Sequence, residues 1–277
     1  MRSGDSPDMS SRRSLSLDVL RARVAFRERA FIDVMDLALR FLVVHWRLYA
    51  KVSLVVLVPG IALTLGVASL ASDWWVGWSV AFLLSFVAQV PFTLLASRLV
   101  FQERVSARVV LRAAAGELPR ILVMRGLWLL PILLGSVALV VPSFALATIF
   151  LFVDEVMILE RSRILPAFGR SRRIAASSLG NTLLCLAMVT VLPLVAVLFA
   201  DVGGRAFVSD LLQFQGPLPL WTKGGSVLAV LGWFGVVPYV TTARFFAYLN
   251  VRTRAEGWDI QTRFAAIAAR AEQEAAT

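Results

Sequence analysis

Six apolar stretches, each near the length of a bilayer crossing, constrain this chain more than any other feature. They cover residues 50–70, 74–101, 121–141, 142–160, 179–200 and 225–246. A helix rises about 1.5 Å per residue and a bilayer's hydrocarbon core is about 30 Å thick, so about 20 apolar residues cross it. In lipid every backbone N–H and C=O must find its partner within the protein, which favours helices. The expected fold is therefore all-α: a polytopic membrane protein with six transmembrane helices arranged as three hairpins. Composition agrees. The chain is 58% hydrophobic with mean hydropathy +0.77, against about 45–50% apolar residues in ordinary soluble domains.

The third and fourth runs are the ambiguous pair, because only 28 uncharged residues separate Arg125 from Asp154. One long span over 121–153 is the rival reading, and orientation decides between them. With six spans, the outward loops are 71–73, 201–224 and a tight turn near Pro142. Of the 28 Lys and Arg residues only Arg205 and Lys223 fall in those loops; the rest lie in cytosolic segments or at helix ends. Cytosolic loops are enriched in Lys and Arg, so this pattern puts both termini in the cytosol. A single span would put the arginines of 161–173 outside. Trp74, Trp75, Trp78 and Trp221 then mark the outer interface, and Trp46 and Trp258 the inner one.

The net charge is +10, nearly all of it arginine, since Lys51 and Lys223 are the only lysines. In a chain this apolar, anionic lipid rather than nucleic acid is the expected partner. The one cysteine, Cys185, excludes an intrachain disulfide, and the one histidine, His45, leaves a zinc or haem site without ligands; no cofactor or metal is expected. Residues 1–15 are polar, carry no apolar core of a signal peptide, and read as a disordered cytosolic tail. Residues 16–265 form a single membrane domain, followed by a cytosolic tail over 266–277. After Gly257 the residues Ile260, Phe264, Ile267 and Ala271 recur at helical spacing.

An amphipathic segment precedes each odd-numbered span. Phe31, Met35, Ala38 and Leu42 share one helical face; Arg104, Arg108 and Arg112 form a stripe; Ile164, Ala167, Phe168, Ser171, Ile174 and Ala175 line a face away from Arg170 and Arg173. Such helices lie flat among the headgroups. The interval from Arg40 to Pro59 is nineteen residues, from Arg112 to Pro131 nineteen, and from Arg173 to Pro193 twenty. The spacing reads as three copies of one unit, an interfacial helix followed by a hairpin; chance alignment of three apolar hairpins is the alternative. Each span carries one proline: Pro59, Pro91, Pro131, Pro142, Pro193 and Pro238. They either frame a transport cavity or simply kink the packing, and Pro142 reads as a turn residue.

Three stretches carry a family resemblance. They are ERSRILPAFGRSRRI at 160–174, ARFFAYLNVRTRAEGWDIQTRF at 243–264, and LALRFLVVHWRLYAKVSLVVLVP at 37–59. Together they resemble the membrane domain of glycerophosphoryl diester phosphodiesterases and related bacterial membrane proteins. The match departs at Leu249-Asn250, where that group usually has an acidic residue after the tyrosine. The resemblance implies the membrane domain without the phosphodiesterase barrel, because a lone histidine cannot supply the barrel's paired histidines. It implies no chemistry of its own.

Asp154, Glu155 and Glu160 stand where the fourth span meets the cytosolic headgroups. Paired carboxylates can run acid–base chemistry or bind a metal, but at this position an interfacial charge network is the better reading. Glu160 has Arg163 three residues on, a helical neighbour and candidate elbow pair. Arg104, Arg108, Arg112, Arg170, Arg172 and Arg173 are candidate lipid-headgroup contacts, since guanidinium forks match phosphate. Arg125, Asp154 and Glu155 form a candidate intramembrane ion pair. Counted along a hairpin turning near Pro142, the arginine and the acids both fall roughly 20 Å from the turn, and a lone charge at that depth costs about 2.5–3.5 kcal/mol. His45 reads as an interface residue; Ser177 and Ser226 lack the company of a catalytic triad. The expected role is non-enzymatic: a membrane scaffold or accessory subunit engaging anionic lipid and a partner protein. A transporter using the kinked helices, and an intramembrane enzyme using the three acids, are the alternatives. Substrate, partner, lipid specificity and oligomeric state are not legible in the sequence.

Overall fold

The computed structural model describes residues 30–102, 104–138, 140–160, 163–215 and 218–256. Both expected tails, the C-terminal helical pattern, Arg161 and Trp258 lie outside the described residues. Among those described, all regular structure is helical. The helices are α1 Phe31–Val44, α2 Trp46–Ala71, α3 Trp74–Phe101, α4 Ala107–Ala138, α5 Val140–Phe150, α6 Val153–Glu160, α7 Ile164–Ser177, α8 Leu179–Ala206, α9 Leu220–Lys223 and α10 Val227–Glu256, with one π turn at Phe207–Leu211.

Four of the helical segments are long and apolar enough to cross a membrane: Trp46–Ala71, Trp74–Phe101, Leu179–Leu211 and Val227–Ala255. They tolerate Pro59, Pro91, Pro193 and Pro238 in their interiors. The expected third and fourth spans take another form. Residues 121–138 continue a helix begun at Ala107, and 140–160 is divided between α5 and α6, which are 11 and 8 residues long. Pro142 lies within the helical residues of α5 rather than in a turn.

Local chemistry explains where the amphipathic segments separate from their spans. At His45 the backbone leaves the helix (φ −102°, ψ 19°) and the ring Nδ1 lies 2.9 Å from the Phe41 carbonyl. At Ser178 the backbone is again non-helical (φ −150°, ψ 67°). No such break divides α4. The expected separate helix carrying Arg104, Arg108 and Arg112 is therefore corrected: alanine-rich residues 113–115 favour one helix that runs from Ala107 straight into the apolar run. Arg104 precedes that helix, so it does not complete a stripe with Arg108 and Arg112.

Helix α10 is central and packs against α8, α3, α1, α2 and α7. From Val240 to Val251 every residue of α10 is buried, and from Val90 to Ser97 every residue of α3. Leu151–Met157 is buried likewise. The core thus lies at the end of the bundle that holds the C-terminus of α3 and of α10. Here Tyr49 stacks on Phe92 and its hydroxyl meets Thr242 Oγ1 at 2.8 Å. The apolar faces of α1 and α7 turn onto this core. Phe41 meets Phe246 edge-on at 5.1 Å, and Phe150 meets Phe168 at 5.0 Å. Those faces cover protein; a second stripe of α1, Ile32, Leu39 and Val43, is exposed.

Candidate functional site

Five side chains from four helices converge in the core: Gln89 of α3, Arg125 of α4, Asp154 and Glu155 in the first turn of α6, and Arg244 of α10. Arg125 donates from Nη2 to Asp154 Oδ2 at 2.5 Å and from Nε to the same oxygen at 3.0 Å. Its Nη1 donates to the Phe86 carbonyl, and its guanidinium lies over the Phe86 ring. Arg244 spans both acids. Its Nε donates to Glu155 Oε1 at 2.6 Å, its Nη2 to Asp154 Oδ2 at 3.4 Å and its Nη1 to Gln89 Oε1 at 3.1 Å. Gln89 Oε1 also accepts from Arg125 Nη2 at 3.4 Å.

The cluster is closed and balanced. Two guanidinium groups face two carboxylates, and none of the four charged side chains is more than 8% exposed. Buried charges persist when they are paired and hydrogen-bonded, and here each acid has an arginine. The acids gain further from position, because the N-terminus of a helix carries partial positive charge. That N-terminus exists because the helix breaks at Leu151-Phe152. The break exposes carbonyls, one of which, Ile149 O, accepts from Ser171 Oγ of α7 at 2.7 Å. Asp154 Oδ1 and Glu155 Oε2 are buried without a hydrogen-bond partner.

A second group lies one end of α6 away. Glu160 Oε1 accepts from Arg170 Nε at 3.3 Å and from the Tyr248 hydroxyl at 3.1 Å, with Arg252 Nη1 3.6 Å from the same oxygen. The expected pairing with Arg163 is corrected. Helix α6 ends at Glu160 and Arg163 is extended and exposed, so the two are no longer neighbours on one helix. Of the expected headgroup contacts, Arg104, Arg108, Arg112, Arg172 and Arg173 are exposed, while Arg170 is half-buried against Glu160.

At the far end of the bundle Asp201 of α8 is fully buried and holds the connection to α10. Its Oδ1 accepts from Ser226 Oγ at 2.5 Å; its Oδ2 accepts from Arg205 Nη2 at 2.8 Å and from the Leu220 N–H at 3.3 Å. Ser226 Oγ in turn accepts from the Ala229 N–H, capping α10.

No family model, curated protein or solved structure matches this chain.

Sequence reasoning placed Arg125, Asp154 and Glu155 together and missed Arg244 and Gln89. A signal was present: Arg244 and Gln89 are polar residues inside apolar runs, and a charge within a span needs a named partner. It also missed Asp201 and the N-cap role of Ser226. Among the described residues no group of three or more His, Cys, Asp and Glu side chains is placed to hold a metal ion. Chemically, the core cluster ties four helices at one level through directional, charge-assisted bonds.

Proposed function

We propose that this protein is a non-enzymatic scaffold or accessory subunit of the bacterial cytoplasmic membrane, engaging anionic lipid and a partner protein, and that it belongs with the membrane domains it resembles. In this reading both termini are cytosolic and six spans form three hairpins: α2 with α3, residues 121–138 with the broken pair α5–α6, and α8 with α10. Together α5 and α6 reach about 30 Å, enough for one crossing. Helix α1, the first turns of α4, and α7 lie at the cytosolic surface, presenting Arg108, Arg112, Arg172 and Arg173 to lipid phosphate.

The observation that carries this reading is the closure of the Arg125–Asp154–Glu155–Arg244 cluster. A buried network whose charges are matched within the protein holds helices in register, as a scaffold requires. Transport is the second reading, favoured by one feature. A helix broken beside carboxylates can frame a transport site, and two carboxylate oxygens there have no partner in the protein.

Reconstitution into nanodiscs of mixed phosphatidylcholine and phosphatidylglycerol, followed by native mass spectrometry, tests the lipid part. Preferential retention of phosphatidylglycerol is expected, and equal retention of both lipids overturns it. Photo-crosslinkers at Arg108 and Leu165 in native membranes test the partner; adducts with lipid alone at both positions overturn the scaffold. Topology is read by thiol labelling of single cysteines on a Cys185→Ala background. Labelling of position 170 from outside intact cells overturns the six-span arrangement.

A further inference from the structure

The connection between α8 and α10 is tethered at its base yet turns its apolar side chains away from the bundle. Asp201 holds Arg205, the Leu220 N–H and Ser226. Between these anchors Phe207, Leu211, Leu212, Phe214, Leu218 and Trp221 are each 46–68% exposed. Large apolar groups displayed together mark a surface that something covers.

Three observations identify the cover as lipid. First, the connection continues the outward face of α8. Val191, Val195, Phe199 and Val202 are exposed at helical spacing along that span, and from Phe207 to Trp221 the only charged residue is Asp210. Second, the helical segment Leu179–Leu211 is 33 residues long. That is about 50 Å at 1.5 Å per residue, longer than a core of about 30 Å, so its last turns reach interfacial depth even when tilted. Third, tryptophans cluster at this end. Trp78 Nε1 donates to the Gly224 carbonyl at 2.8 Å, the Trp74 ring packs on Gly225, and Trp75 is 81% exposed. Tryptophan concentrates where headgroups meet acyl chains.

We propose that residues 207–215 and 218–221 form an in-plane membrane anchor, which seats Phe207, Leu211, Phe214, Leu218 and Trp221 in the headgroup–acyl boundary. The Asp201 clasp holds it flat against the bundle. The inference rests on the proposed topology only for which leaflet is entered.

Spin labels on cysteines at positions 214 and 218, on the Cys185→Ala background, test it. The protein is placed in vesicles of phosphatidylcholine and phosphatidylglycerol, and power saturation compares oxygen with a water-soluble nickel chelate. Both native side chains are exposed, so labels there leave the bundle's packing intact, and a single sharp gel-filtration peak verifies it. Labels at 214 and 218 are expected to favour oxygen several-fold, as a label at lipid-facing Leu198 does, while a label at Lys223 favours the chelate. Access of the chelate at 214 and 218 overturns the anchor. So does exclusion of both reagents, which marks a protein cover, whether a second copy or another chain. An impermeant maleimide against a cysteine at 223 reads sidedness separately. Its reaction from the cytosolic side alone removes the topology and leaves the depth result standing.

Discussion

Arg244 and Glu155 stand 89 positions apart in the chain, and the guanidinium Nε donates to the carboxylate at 2.6 Å. This pair does not stand alone, but its two members are unequally replaceable. Asp154 is reached by both Arg125 and Arg244, whereas Glu155's ion pair is with Arg244.

An ordering of variants follows. Arg244→Met strands Glu155 in the core and is expected to cost about 3–5 kcal/mol, the range for breaking a buried pair from one side. Arg125→Met leaves Asp154 with Arg244 and is expected to cost less. Adding Glu155→Gln to Arg244→Met is expected to recover part of the loss. Unfolding in detergent by heat or by SDS measures all three; equal loss in both single variants removes the hierarchy.

Lysine does not replace Arg244. The guanidinium contacts Glu155, Gln89 and Asp154 through three different nitrogens, and an ammonium offers one point charge on a flexible stem. Arg244→Lys is expected to destabilise by about 1–3 kcal/mol, the worth of charge-assisted hydrogen bonds. Wild-type stability in the same assay contradicts this.

Glycine positions separate close packing from open surface. A Cβ on Gly232 runs into the Ala196 carbonyl oxygen, while one on Gly235 meets nothing within 4 Å. Small residues let membrane helices approach closely. Gly232→Ala is therefore expected to cost about 1–3 kcal/mol by overpacking α8 against α10, and Gly235→Ala to be neutral or stabilising by about 0.5–1 kcal/mol. A thermal-shift comparison in one detergent decides, and a reversed order contradicts the packing.

The elbow arginines divide by environment. Arg172 and Arg173 are exposed, whereas Arg170 meets Glu160 at 3.2 Å. Neutralising Arg172 and Arg173 together is expected to weaken phosphatidylglycerol retention by about 1 kcal/mol per residue. Arg170→Gln is expected to leave retention nearly unchanged and to lower stability by no more than about 1 kcal/mol, since its ion pair is partly exposed. Equal loss of lipid from all three positions contradicts the division.

The Asp201 clasp is testable by local opening. Asp201→Ala frees Ser226, Arg205 and the Leu220 N–H together, while Ser226→Ala removes one cap, worth about 1 kcal/mol. Limited proteolysis between 207 and 221 is expected to accelerate in the first variant far more than in the second. Equal rates contradict a single anchoring carboxylate.

Much of the architecture is local information. Length and apolarity set the helices 46–71, 74–101, 179–211 and 227–255, because a backbone out of water bonds to itself at any position of a long apolar run. The faces Phe31–Leu42 and Ile164–Ala175 are likewise written in helical period. Arg125 and Asp154 were legible as candidate partners because opposite charges within apolar runs need one another. The tertiary structure decided what period and counting cannot reach. The break at Leu151-Phe152 has no proline or glycine to announce it; beside it the Ile149 carbonyl accepts from Ser171, 22 residues further along the chain. Arg244 belongs to the charge cluster only because α10 packs at the centre of the bundle, and Glu160 meets Arg170 because α7 brings that side chain to the end of α6, while Arg163 is extended and exposed. A charge in a span announces that it needs a partner; which partner it has is settled by how helices distant in sequence pack together.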